Sequence, residues 1–293
     1  MYNYDAAISR NIGWLSETEQ YVLKEKRIAI AGMGGVGGAH LETLTRLGIT
    51  KFQLSDFDVF EVHNFNRQAG ASMSTIGQPK LEVMMRRALD INPQLEVHHY
   101  DKGIDDTNVD EFLEGVDLYV DSLDFFALEA RKLVFRKCAE KGIPAITAAP
   151  MGMGCAFLAF LPGGMTFDEY FKMEGLSEED QLIRFLIGLS PAVLQKNYLV
   201  DPSRADFHER KGPSTPMAVD LCAGIAATNA VKILLGRGKV IAAPYGLHFD
   251  AYRNKMVKTW RPGGNANILQ KIAFIIAKRI LTKKKIRPEP EVE

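Results

Sequence analysis

The residues best suited to chemistry open with Gly32-Met-Gly-Gly-Val-Gly-Gly38. Glycines at 32, 34, 35 and 37 permit a tight turn and let backbone N–H groups approach a phosphate. At a helix N-terminus the dipole also favours the anion. Asp56 lies 24 residues after Gly32, where an acid ending a second strand can hydrogen-bond ribose hydroxyls. This pattern suits a mononucleotide or a dinucleotide, so a nicotinamide-dependent (NAD) dehydrogenase stands as a rival reading of the loop alone.

Such a loop works only if strands and helices hold it. Arg27–Ala31 has the composition of a short buried strand, and Ala39–Leu47 has helical spacing that stops at Gly48. Lys51–Ser55 is the next strand and ends in Asp56-Phe-Asp58. Strand, glycine turn, helix, strand is a βαβ unit, which implies a parallel sheet covered by helices. The alternation continues with helices over 80–90, 109–113 and 126–141, and strands over 95–100, 116–120 and 143–147. Residues 5–25 form one or two amphipathic helices. Beyond Pro150 come a strand over 155–161, a mixed region over 165–215, a small-residue helix over 217–235 and a possible hairpin over 240–260. The expected fold class is α/β: a Rossmann-like, mostly parallel sheet with helices on both faces, extended by a mixed or antiparallel C-terminal part.

Downstream of Asp58 the chain has Asn64-Phe-Asn-Arg67-Gln68, then Gly77-Gln-Pro-Lys80, and later Asp121-Ser-Leu-Asp124. With the glycine loop and Asp56-x-Asp58, this ordered set resembles the ThiF/MoeB/HesA adenylyltransferases and the adenylation domain of ubiquitin-activating enzymes. The resemblance runs over about residues 10–162 and 213–236. It implies that ATP is used to activate a carboxylate as an acyl-adenylate. Attack of one anion on another requires charge neutralisation and positioning. By resemblance Arg67 and Lys80 neutralise the phosphates, Asn64 and Gln68 position them, and Asp56 binds the ribose. Asp124, helped by Asp58, holds Mg²⁺. Arg10-Asn-Ile12 resembles an N-terminal motif whose arginine reaches the phosphates of a neighbouring subunit, which implies a homodimer with composite sites.

The chain departs from the family in its cysteines. Cys138, Cys155 and Cys222 lie far apart, so the two Cys-x-x-Cys pairs that bind zinc in many members are absent and no zinc is expected. The crossover segment Asp206–Gly212 has no cysteine, although it holds His208, a residue more often solvated than basic. The three thiols are expected to be buried packing residues. Chemistry is then expected to proceed without an enzyme thioester, on a carboxylate-bearing peptide or a small ubiquitin-like or sulfur-carrier protein. Two alternatives stand: a tRNA-modifying cyclising dehydratase of the same family, and a non-catalytic nucleotide-binding scaffold.

Composition narrows the remaining classes. Lys+Arg and Asp+Glu both number 36 in 293 residues, so no global field recruits nucleic acid. The uncharged stretch Gly142–Phe167 is broken by prolines and glycines, as buried strands separated by turns would be. No secretory h-region opens the chain, and a cytoplasmic location is expected. One adenylation domain is expected over 1–262, comprising N-terminal helices (1–27), a nucleotide-binding half (28–150) and a substrate or crossover region (165–215). A basic amphipathic helix and tail follow over 263–293. Ile268–Leu281 carries an apolar set, and Lys271–Arg287 holds seven basic residues and no acid. The expected arrangement packs the apolar face on its own domain with the lysines in water. RNA or membrane contact is the less favoured reading, and Pro288–Glu293 is expected to fray.

Overall fold

The computed structural model describes residues 1–205 and 209–284; His208 and the tail from 285 lie outside the described residues. Its strands are β1 (Arg27–Ala31), β2 (Lys51–Ser55), β3 (Glu96–Tyr100), β4 (Leu118–Asp121), β5 (Ala145–Met151), β6 (Gly154–Phe160), β7 (Tyr245–Asp250) and β8 (Lys255–Trp260). They form one sheet in the order β3-β2-β1-β4-β5-β6-β7-β8. The first five pair in parallel, and β6, β7 and β8 continue antiparallel. The expected fold class is thus present. Strand order reverses between β1 and β4, and in open α/β sheets ligands sit beyond the carboxyl ends of strands at such a switch point.

The helices are α1 (Tyr4–Ile8), α2 (Glu17–Glu25), α3 (Gly35–Leu47), α4 (Lys80–Ile91), α5 (Val109–Phe112), α6 (Leu128–Lys141), α7 (Phe167–Phe171), α8 (Glu178–Leu189), α9 (Pro216–Leu234) and α10 (Ile268–Lys284). Two apolar cores fill the two faces of the sheet. Ile28 and Ile30 of β1 join Leu41 and Leu44 of α3 and Ala226 of α9 in one, while Ala29 and Ala31 join Val134 and Phe135 of α6 in the other. This division follows from side chains alternating along a strand buried on both faces. The uncharged stretch after Gly142 resolves into the β5–β6 hairpin. Helix α9 is long and apolar enough to cross a membrane by length and composition, but it packs across α3, β5 and β6.

Two sequence expectations are corrected. Helix α3 begins at Gly35 rather than Ala39, because the glycines form its first turn and Gly38 N–H already bonds Gly34 O at 3.1 Å. Helix α10 presents its apolar set outward: Ile268, Leu269, Ile272, Ile275, Ile276 and Ile280 are 48–69% exposed. Its inner side is held by Phe274, which lies under Arg184, and by Gln270, whose amide donates to Ile187 O at 3.0 Å and Asn265 Oδ1 at 3.1 Å. Periodicity locates a stripe but not the side on which the neighbouring element lies.

His40, inside α3, is fully buried and neither ring nitrogen has a protein partner. Burial lowers its pKa to about 4. The unfolded chain takes up this proton below about pH 6.5 while the native state refuses it, so stability is complete above that pH. It should fall as pH drops toward 4, by up to about 3 kcal/mol from this group. Urea unfolding of His40→Leu should show a shallower loss between pH 6.5 and 4 than the parent chain. An identical slope in both proteins would show that another group sets the acid limb.

Candidate functional site at the strand-order switch

The glycine loop leaves β1 at Gly32, whose N–H bonds Ser55 O at 2.7 Å and whose φ is +94°. A Cβ at Gly32 would lie 2.3 Å from Ser122 O, and one at Gly37 would lie 1.7 Å from Gly32 O. These two glycines are demanded by the chain's own backbone packing. Gly34 differs: its φ is −72°, and a Cβ there would meet only the Gln68 side chain, no nearer than 3.6 Å. Gly35 would meet Val219 at 3.3 Å and Arg67 at 3.7 Å. The missing side chains at 34 and 35 therefore leave a cradle at the N-terminus of the 13-residue α3, where unpaired N–H groups and the dipole favour an anion.

Asp56 locks this loop. Its carboxylate accepts from Met33 N–H at 2.5 Å and from Asp58 N–H at 2.7 Å. Burial raises its pKa, opposed by those two N–H donors and by Lys80. Lys80 opens α4, and its N–H bonds Asp58 O at 2.9 Å. A short antiparallel contact between Val59 and Pro79 brings the two segments together. Lys80 Nζ then reaches Asp58 Oδ2 at 2.9 Å, with the lysine buried and the aspartate half exposed.

The segment carrying Arg67 and Gln68 closes the other side. Gln68 is buried, lies against Gly34, and its Oε1 has no protein partner. Arg67 donates to Asn66 Oδ1 at 2.9 Å and His63 O at 3.2 Å. Desolvation lowers its pKa while the charge of Asp124 opposes that shift. Asn64 shapes the turn that carries Arg67, its side-chain carbonyl accepting from Glu61 N–H at 2.9 Å. Asp124 caps its own loop, accepting from Phe126 N–H at 2.9 Å.

Several contributors escaped sequence reasoning. Arg131 of α6 pairs with Asp121 at 2.9 Å, both almost wholly buried, and also donates to Leu123 O at 2.5 Å. This pair fixes the loop bearing Asp124; an acid ending a strand was its only sequence signal, since Arg131 is one of several charged residues on α6. Ser122 presents a buried hydroxyl without a protein partner. Asn66 Nδ2 bonds Ser214 O at 2.9 Å and ties the Arg67 segment to the entry of α9. The region over 190–215 is anchored at the same sheet end, since Thr215 bonds Gly152 O at 2.8 Å and Tyr198 bonds Asp250 at 2.7 Å.

Arg10 is not brought to this cradle within one chain. Asn11 and Gln20 bond Leu47 O, at 3.2 and 2.8 Å, and Tyr4 bonds Gly48 O at 2.8 Å. The N-terminal arm is thereby fastened to the far end of α3, about 20 Å from the glycine loop at 1.5 Å per residue. The three cysteines are buried. Burial pushes the Cys138 and Cys222 thiols up, Cys155 adding to the shift of Cys222. No group of three or more possible metal-ligating side chains converges among the described residues.

An anion cradle, an acid-locked loop and two cations compensated by aspartates suit a phosphate-bearing ligand. Residues 8–268 match the ThiF family. The chain belongs to the ThiF family. This ThiF chain is 33% identical over 141 residues to the tRNA threonylcarbamoyladenosine dehydratase of Bacillus subtilis (strain 168), covering 48% of this chain and 55% of that protein. It is 31% identical over 134 residues to the molybdopterin-synthase adenylyltransferase of Salmonella typhimurium, covering 46% and 53%. It thus spans about half the length of these curated relatives. The crystal structure of Escherichia coli MccB with ATP shares the fold, with a TM-score of 0.65 at 22% identity over 87% of this chain and 70% of that one.

The two kinds of glycine should separate on substitution. Gly37→Ala should fail to fold stably, because its Cβ cannot avoid the Gly32 carbonyl. Gly34→Ala should keep the parent's thermal transition yet weaken nucleotide binding by calorimetry at least about tenfold, by filling the cradle. Unchanged affinity in a folded Gly34→Ala would remove the cradle from the binding site.

Proposed function

We propose that this ThiF protein is an ATP-dependent adenylyltransferase that activates a carboxylate, with an acyl-adenylate and pyrophosphate as products. The observation that carries this reading is the set of two cations and two aspartates around a cradle a side chain would fill. Gln68 Oε1 and Ser122 Oγ, buried without protein partners, support the fit of a polar ligand there. A pure dinucleotide oxidoreductase has no use for this paired charge.

In the reaction a carboxylate oxygen bonds the α-phosphorus while the bond from that phosphorus to the bridging oxygen of pyrophosphate breaks. The cradle and α3 would hold phosphate oxygens, and Asp56, at the end of β2, would meet the ribose. Lys80 would exchange Asp58, and Arg67 its Asn66 and His63 contacts, for phosphate, where charge shifting in the transition state makes them worth most. Asp124 and Asp58 would hold Mg²⁺, which favours one or two carboxylates with phosphates and water and neutralises phosphate charge when bound. Buried thiols with raised pKa values support a route without an enzyme thioester.

The favoured substrate is the carboxylate of a peptide or small carrier protein, received by the region over 165–215. The similarity to the Bacillus subtilis dehydratase supports a second reading, adenylation of a carboxylate on a modified tRNA base followed by cyclisation. Pyrophosphate exchange against both classes separates them: exchange dependent on a peptide or protein carboxylate favours the first, on tRNA the second.

Lys80→Ala and Arg67→Ala should each cut exchange by well over tenfold without unfolding the protein, since each deletes a charge-assisted phosphate contact worth ~1.5–3 kcal/mol or more. Near-full exchange in both folded variants would refute their roles.

The distance of Arg10 from its own cradle supports action in trans within a homodimer. Arg10→Ala and Lys80→Ala, each inactive, should regain about a quarter of parental exchange when unfolded together and refolded at equal amounts, because half the dimers then hold one complete site. Activity of Arg10→Ala alone at the parental level would exclude the arginine from the site.

A further inference from the structure

Helix α10 runs against the usual logic of an amphipathic surface helix. Polar Gln270 faces inward and bonds the backbone of α8, while Lys278 bridges Asp180 at 2.7 Å. The six aliphatic residues from Ile268 to Ile280 face outward, each about half exposed or more. At about 100° per residue they occupy one arc of about 140°. An aliphatic face of this kind, broken only by Arg279 near its C-terminal end and left in water, marks an interaction surface.

Charge selects among the possible occupants. Residues 268–287 hold seven basic residues and no acid, so the remaining chain carries seven more acidic than basic residues. Pairing α10 with the same helix of a second copy would set these cations against each other. RNA would satisfy the cations and leave the aliphatic stripe uncovered, since single-stranded bases stack on aromatic rings and guanidinium planes rather than on isoleucine. An anionic bilayer surface answers both features: its acyl region accepts the aliphatic arc and its headgroups accept the basic residues. Lys271 lies beside the arc and Arg279 within its C-terminal end, and stems of this kind reach the headgroup level from such positions.

We propose that α10 docks this protein in the plane of an anionic lipid membrane, laying Ile268, Leu269, Ile272, Ile275, Ile276 and Ile280 into the headgroup–acyl boundary. The net acidity of the rest of the chain repels it from the same surface, so the body stands off the bilayer. The attachment is reversible, because an interfacial helix and a basic patch together bind far less tightly than a membrane-spanning segment.

Sedimentation of the full chain with vesicles tests this. It should pellet with phosphatidylcholine vesicles containing about one third phosphatidylglycerol and much less with phosphatidylcholine alone, and high salt should release most of it. The double variant Ile272→Gln/Ile276→Gln changes two exposed positions and should keep the parental thermal transition and pyrophosphate exchange while losing about tenfold or more in partitioning. Failure to pellet with either vesicle, or equal pelleting of parent and double variant, would overturn the proposal. So would a dimer that the double variant dissolves in gel filtration without any vesicle binding by the parent, since the occupant would then be a second copy. Retention of exchange in the double variant keeps this result separate from the fate of the adenylation reading.

Discussion

The site depends on one close approach of backbone to backbone. At the strand-order switch the glycine loop after β1 lies so near the Ser122 carbonyl after β4 that no side chain fits at Gly32, and α3 folds back so tightly that none fits at Gly37. This contact aims the N-terminus of α3 into the gap between the two strand ends. It also keeps Gly34 and Gly35 open for a ligand. Asp56 stabilises the same geometry from the far side by accepting from the loop's own N–H at Met33. Loop, helix dipole and acid are thus held in place by the chain's own contacts.

Charge is arranged with the same economy. Lys80 is held by Asp58, and the field of Asp124 supports the partly buried Arg67. Lys80 therefore already has a paired carboxylate, which limits the desolvation penalty of keeping it near the cradle, while Arg67 is held by the Asn66 side chain and the His63 carbonyl. The Asp121–Arg131 pair is of another kind. It is almost wholly buried, gives further donors to the Leu123 and Phe125 carbonyls, and stacks Arg131 on Phe185 at 4.6 Å. Its part is to hold rigid the loop on which Asp124 sits.

The two ends of the described chain are fastened in opposite senses. The N-terminal arm grips the last carbonyls of α3 and so carries Arg10 away from its own glycine loop. Among the described residues, helix α10 is anchored through Gln270, the Lys278–Asp180 ion pair and Phe274 against Arg184, with its aliphatic set turned out. Neither arrangement is what hydrophobic burial within one chain would choose.

By itself the sequence determined the α/β class, the place of the glycine loop, Asp56 at the end of β2 and the membership of Arg67, Lys80 and Asp124 in one ordered set. These features are local: backbone freedom at glycine, alternation in strands and residue type at a turn are written in adjacent positions. Only tertiary structure decided that Lys80 meets Asp58 through the Val59–Pro79 contact, that Gln68 covers Gly34, and that Arg131 locks the Asp124 loop. It also gave Asn64 to a turn, began α3 inside the glycine run, and turned the isoleucines of α10 outward. The reason is common to all of these. Periodicity and propensity specify what a segment is and which of its faces is apolar, whereas partners distant in sequence are chosen by how the packed elements come together.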